Sequence, residues 1–178
     1  DKGRPRGGLS IIIPKIFRKF VKILKCDSWR LQPILMNINN VRYLIINTYF
    51  PVDSQGANDE CHELEECLSQ IKAIINLNDF DKFYLIGDQN CEFSRNSRHV
   101  NLIRQFMDDT QLFDLWQNHP VDFTYSFESE NGRSSYIILD HILTLKRSES
   151  EITEAGVIHH VRNLSDHEVS YAKIKSTK

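Results

Sequence analysis

The sequence predicts a layered α/β fold built on a mixed sheet, and three observations carry that prediction. Runs rich in Ile, Val, Leu and aromatic residues alternate with stretches whose apolar residues recur every three or four positions. Two of the runs follow each other closely enough to pair as a hairpin, and several end abruptly in Gly, Pro or Asx residues. Strands separated by helices favour parallel neighbours, hairpin strands require antiparallel ones, and a sheet containing both kinds needs helices to cover it.

Gly8 to Ile13, GLSIII, reads as a buried strand stopped by Pro14, because a continuous apolar run ended by a residue without an N–H fits a core strand. KFVKILK follows as a second, exposed strand or short helix. The clearest hairpin is WRLQPILMNINNVRYLIINTYFP: two β-rich runs meet at Asn39-Asn40, a pair that tolerates the left-handed backbone of a tight turn, and the second arm, Val41 to Phe50, finishes at Pro51. From Asn58 the period changes. Cys61, Leu64, Leu68, Ile71 and Ile75 recur at steps of three and four, with Asn58 or Asp59 as cap, which predicts an amphipathic helix. A strand is expected at Lys82 to Gly87 and a second helix at Arg98 to Trp116, with Leu102, Ile103, Phe106, Met107, Leu112 and Leu115 on its apolar side. Three further strands are expected at Ile137 to Leu145, Ile152 to His159 and Glu168 to Ile174.

Composition narrows the function classes. A chain of 178 residues that is 40% hydrophobic and 26% charged fits one domain with a sizeable core. A formal charge of −2 carries no bulk signal for nucleic acid, so a polyanion site has to be a local basic patch or a metal-screened cleft. Cys26, Cys61, Cys67 and Cys91 show no CxxC spacing and read as intracellular thiols, neither a disulfide frame nor a zinc site. The longest apolar runs fall short of the roughly 18 residues of a membrane span, and the N-terminus does not resemble a signal peptide.

Polar groups delivered at strand ends are where chemistry is expected, because the sheet holds them rigidly while its ends stay open. Four such ends stand out: NTYFP (Asn47 to Pro51), GDQN (Gly87 to Asn90), LDHIL (Leu139 to Leu143) and NLSDHEVS (Asn163 to Ser170). Each has a plain structural reading as turn or cap chemistry. Asp140, however, sits within an apolar strand, where a carboxylate needs a partner. His141 follows it directly and points to the opposite face, so His167 is the better partner. Together the groups outline a phosphate-processing site. Asp88, Asn90 and Asp166 offer hard oxygen ligands suited to Mg²⁺. His167 backed by Asp140 activates or binds water, Tyr49 donates to a phosphate oxygen, and Asn90 holds the nucleophile or phosphate. His159-His160 reads as structural, Glu65-Glu66 and Asp108-Asp109 as solvated helix faces, and Trp29, Trp116 and Tyr136 as core more often than base-stacking platforms.

In the order Tyr-x-Pro, Gly-Asp-x-Asn, Asp-His-Ile-Leu, Ser-Asp-His, with helices between, the chain resembles the endonuclease/exonuclease/phosphatase superfamily. It looks most like the endonuclease domain of non-LTR (LINE-type) retrotransposons, on GRPRGGLSIII, on DFTYSF (Asp122 to Phe127) and on RNLSDHEVS. The resemblance implies a four-layer α/β sandwich with two mixed β-sheets, DNase I-like, and Mg²⁺-dependent nicking of DNA that primes reverse transcription. It implies catalytic roles for Tyr49, Asp88, Asn90, Asp140 and His167, substrate binding by Tyr49, Asn90 and Thr124, and metal binding by Asp88, Asn90 and Asp166. Implied partners are DNA and a reverse transcriptase domain in a parent polyprotein, for a monomer without membrane contact that is nuclear if DNA is the substrate.

Departures from the family pattern shape the remaining expectations. The family carries an Asn and its principal metal-binding Glu on strands upstream of the Gly-Gly segment at which this chain starts, so residues 1–178 read as a single, N-terminally truncated domain lacking those strands. Gln89 replaces an apolar or aromatic residue of the Gly-Asp-Phe-Asn type motif, and Ile137 stands near where the family often has Ser or Thr, displacing Ser135. Two other readings accompany the hydrolase: an inactive fragment that binds DNA or a protein, and a phosphatase of the same superfamily.

Overall fold

The computed structural model describes residues 8–53, 58–118, 127–128, 136–159 and 165–175, without the side chains of residues 58–60, 118, 127–128 and 136–137. Ten strands and three α-helices are seen among them. The strands are β1 (Val21–Ile23), β2 (Leu31–Ile38), β3 (Val41–Tyr49), β4 (Lys82–Asp88), β5 (Leu112–Asp114), β6 (Phe127–Glu128), β7 (Tyr136–Ile137), β8 (Asp140–Leu145), β9 (Ile152–Ile158) and β10 (Val169–Ile174). The helices are α1 (Asn58–Leu77), α2 (Arg98–Thr110) and α3 (Leu115–Asn118).

Six strands form the main sheet in the order β1-β2-β3-β4-β8-β5, mixed as expected: β3 and β4 run parallel and every other neighbouring pair antiparallel. The hairpin turns where predicted, with Asn39 and Asn40 at φ 52° and 64°, two consecutive left-handed residues whose twist matches that of the flanking strands. The parallel β3–β4 step is made possible by α1, which crosses over between them.

Alternation along the strands sorts side chains onto two faces. Leu44, Ile46, Phe83, Leu85 and Leu143 pack against Leu64, Leu68 and Ile71 of α1 and Val100, Ile103, Phe106 and Met107 of α2. On the other face Tyr84 and Ile142, with Tyr43, Ile45 and Ile86, meet Ile152, Ala155 and Ala172 of the antiparallel β9–β10 sheet. Helices, main sheet and a second smaller sheet are thus stacked in the expected α/β manner. Ser97 caps α2, its Oγ accepting the Val100 N–H at 3.1 Å and donating to Asp53 at 2.7 Å. The caps expected for α1 at Asn58 or Asp59 lie outside the described side chains.

Two expectations are corrected. Residues 8–13 are extended but form no strand: no strand of the described residues pairs with them, Ile12 is 94% exposed, and the segment is tied by the Asn47 side chain donating to Ser10 O at 3.2 Å. An apolar run without a ladder neighbour leaves its backbone groups to solvent and is not a strand. The second helix stops at Thr110, not Trp116, because Gln111 turns left-handed at φ 57°. Leu112 and Phe113, adjacent and both buried, then go to opposite faces of β5, paired with β8. Burial of consecutive residues on two faces is strand chemistry, which a helical period mimics over so short a run. All four cysteines are free thiols, with Cys67 and Cys91 buried; burial pushes the Cys91 thiol up to about 12. Among the described residues no helix is long and apolar enough to cross a membrane.

Candidate active site

The end of β4 is shaped by its glycine. Gly87 has φ +127°, and a Cβ there would lie 2.2 Å from the Thr48 carbonyl oxygen, so a side chain would force β3 and β4 apart. Beyond it, Asp88 Oδ1 accepts the Asn90 N–H at 2.8 Å, Asn90 adopts φ 45°, and its Nδ2 donates to Phe50 O at 2.8 Å. The GDQN stretch is therefore an Asx turn stitched to the end of β3.

Register places three of the expected residues in one row. Tyr49 of β3 is the partner of Asp88, and Asp88 is the partner of Asp140 across β4 and β8. His167, just ahead of β10, completes the group: its Nδ1 lies 2.8 Å from Asp140 Oδ2 and its Nε2 3.9 Å from Asp88 Oδ2. The expected hydrogen bond between His167 and Asp140 is thus present. The His167 N–H donates to Ser165 Oγ at 3.0 Å, fixing the local turn, and Trp116 Nε1 donates to Asp140 O at 2.9 Å. Tyr49, Asp88 and Asp140 line an open cleft of about 970 Å³, together with Trp29, Arg30 and Asn47.

Electrostatics in the row are uneven. Burial pushes the Asp88 carboxyl up to about 6; the Asn90 N–H opposes this and the neighbouring Asp140 adds to it. The hydrogen bond to Asp140 raises His167 above the ordinary histidine value despite partial burial, with help from the charges of Asp140, Asp88 and Asp166. Such a group can bind an anionic substrate oxygen, pass a proton and hold its imidazole in one orientation.

Asp166 is exposed, and its charge acts on His167; Asn90 donates Nδ2 to Phe50 O, a bond that leaves its Oδ1 uncommitted. Among the described residues no group of three or more His, Cys, Asp or Glu side chains is placed to hold a metal ion. Of the three expected ligands Asp88 alone sets a carboxylate into the cleft. Its carboxylate oxygens are hard donors of the kind that suit a hard cation. Thr124, Ser135 and His160 lie outside the described residues, as does the Tyr136 side chain.

Sequence reasoning missed two features. Trp29, expected in the core, is 50% exposed at the cleft, and the Arg30 guanidinium lies 4.2 Å from its ring centroid. Asp114, expected on a helix, is buried on β5 with its Oδ2 2.8 Å from His141 Nδ1. A Trp-Arg step just before a strand was the available signal for the first; the second was hidden because Asp114 falls in a run whose apolar residues mimic a helical period.

No family model matches the chain, and no curated protein does. Solved structures do match. The AP endonuclease LMAP of Leishmania major superposes with a TM-score of 0.69 at 15% identity, covering 85% of this chain and 56% of its own. The endonuclease domain of TRAS1, a telomere-specific non-LTR retrotransposon, gives 0.69 at 14%, covering 89% and 70%. The 3′ phosphatase NExo from Neisseria, bound to a product DNA hairpin, gives 0.65 at 17%, covering 88% and 70%. The chain thus spans little more than half the length of the Leishmania protein. At these identities the likeness is one of fold: with its mixed sheet, covering helices and second sheet, this chain has the fold of these nuclease and phosphatase structures, one of which is described as an endonuclease/exonuclease/phosphatase family protein from Leptotrichia buccalis.

Proposed function

We propose that this protein is a phosphodiester hydrolase acting on DNA, an endonuclease of retrotransposon type within a single domain. One observation carries the reading: the His167 imidazole is held through Nδ1 by Asp140, with Nε2 directed toward Asp88 beside an open cleft. Asp140 fixes the ring and stabilises its protonated form. His167 then stabilises the phosphate or exchanges a proton with the nucleophile, and Asp88 handles the proton of nucleophile or leaving group. The Tyr49 hydroxyl contacts the scissile phosphate, and Asn90 holds the turn that aims Asp88. Asp88 would hold Mg²⁺, which would supply charge neutralisation at the reacting phosphate. On this reading the protein works as a monomer in the nucleus, alongside a reverse transcriptase domain of the same polyprotein.

The alternative reading is a module that binds DNA or a protein without cleaving it. A supercoiled-plasmid nicking assay separates the two. The hydrolase reading expects open circles with Mg²⁺, none with EDTA, and a rate lower by about 10²–10⁴ in His167→Ala. Nicking unchanged in that variant sinks the assignment of His167, and DNA binding without any nicking establishes the second reading. Hydrolysis of a phosphoinositide but not of plasmid would instead make the protein a phosphatase.

A further inference from the structure

The cleft has a wall that the hydrolytic row leaves unused. Trp29, in the loop before β2, is a large aromatic residue left half exposed at 50%, although its neighbours Leu31 and Ile34 are fully in the core. An exposed indole is ordinarily covered by packing or by a partner. Here it is also held in place: the Arg30 guanidinium stacks 4.2 Å from the Trp29 centroid and 5.4 Å from that of Tyr49. The two rings stand 6.3 Å apart, tilted by 50°.

Arg30 is itself anchored on two sides. Its Nε and NH2 groups donate to Glu63 at 2.6 and 3.1 Å, and its NH1 group donates to Tyr49 O at 3.1 Å. A guanidinium committed in this bidentate way is held in one orientation. It acts as a rigid backing that orders Trp29 before any ligand arrives. The entropy of fixing the ring is met by the fold, and its exposed surface is presented within the same cleft as Tyr49, Asp88 and Asp140.

We propose that Trp29, backed by Arg30, is a stacking platform for the base of an unpaired nucleotide whose phosphate lies at Tyr49 and Asp88. This rests on the nucleic-acid reading above and narrows it. The bases of an intact duplex stack on one another and do not offer their faces to a side chain, whereas single-stranded or extruded bases do. The platform selects substrates with an unstacked base next to the cleaved bond. Arg30 and Glu63 are positioning residues for it.

The test uses the full chain and two single strands of equal length, oligothymidylate and a fully abasic backbone of the same charge, with binding followed by tryptophan fluorescence and anisotropy. The wild type should bind oligothymidylate about tenfold more tightly than the abasic strand, with quenching of emission. Trp29→Ala should bind both strands equally, at the affinity of the wild type for the abasic one, and Trp29→Phe should keep most of the preference. A preference that survives in Trp29→Ala, or an equal loss of affinity for both strands, overturns the platform. Base-dependent binding without nicking of any DNA leaves the platform standing and removes the hydrolase, whereas nicking without base preference does the reverse. No binding to either strand overturns the platform.

Discussion

Replacing Asp114 by asparagine tests a buried charge pair that lies behind the proposed site. His141 and Asp114 are 3% and 2% exposed. The imidazole meets an acceptor on each side: Nδ1 lies 2.8 Å from Asp114 Oδ2 and Nε2 lies 2.7 Å from Cys91 O. Two protonated ring nitrogens would satisfy both acceptors, and we take the residue to be a buried imidazolium, the state that its raised pKa favours. Burial pulls the His141 pKa down, but the Asp114 charge and hydrogen bond, with the Cys91 carbonyl, outweigh it and leave it raised. Removing one partner of such a pair costs about 3–5 kcal/mol, a large part of the roughly 5–15 kcal/mol that holds a domain folded. A group with a raised folded-state pKa contributes stability that is fully present below the unfolded value of about 6.5 and is lost as pH rises through the folded value. In Asp114→Asn the desolvation remains without the counter-charge, so protonation opposes folding. Urea denaturation of both proteins from pH 5.5 to 9 should therefore show a gap that is widest at low pH and narrows as pH rises. A gap below about 1 kcal/mol, or one constant with pH, refutes the buried imidazolium.

Two further substitutions probe the GDQN turn. Gln89 is fully buried, and neither its Oε1 nor its Nε2 has a hydrogen-bond partner among the described residues; an orphaned buried polar group costs about 1–3 kcal/mol, so Gln89→Leu should raise the urea midpoint by a comparable stability, and a lower midpoint would mean that the amide is satisfied in solution. Gly87→Ala should do the opposite, adding about 1–3 kcal/mol of backbone strain to the 2.2 Å clash with Thr48 O, and a variant as stable as the wild type by thermal melting would show that β3 and β4 part without cost.

The Asx turn at Asp88 and Asn90 was legible because its chemistry is local: glycine, then an Asx side chain two residues from the N–H that it caps. The hairpin at Asn39-Asn40 was legible for the same reason, since two consecutive left-handed residues need side chains that tolerate them. The His167–Asp140 bond was inferable from a carboxylate embedded in an apolar strand, a cost that demands a partner. The fate of Gly8 to Ile13 was not inferable, because an apolar run becomes a strand only where a neighbour supplies its hydrogen bonds. Leu112 and Leu115 fit a helical stripe, and only the edge of β8 decided that the first belongs to a strand.

What the sequence determined by itself, then, was the set of elements and polar strand ends, since period, turn residues and capping chemistry act over a few neighbours in the chain. Tertiary structure decided which of those ends meet. Tyr49, Asp88 and Asp140 fall in one row because β3, β4 and β8 are adjacent in this register, and a slip of one residue would turn one of them to the opposite face. The same long-range packing buried Asp114 beside His141 and left Trp29 in the open, neither of which a local pattern encodes.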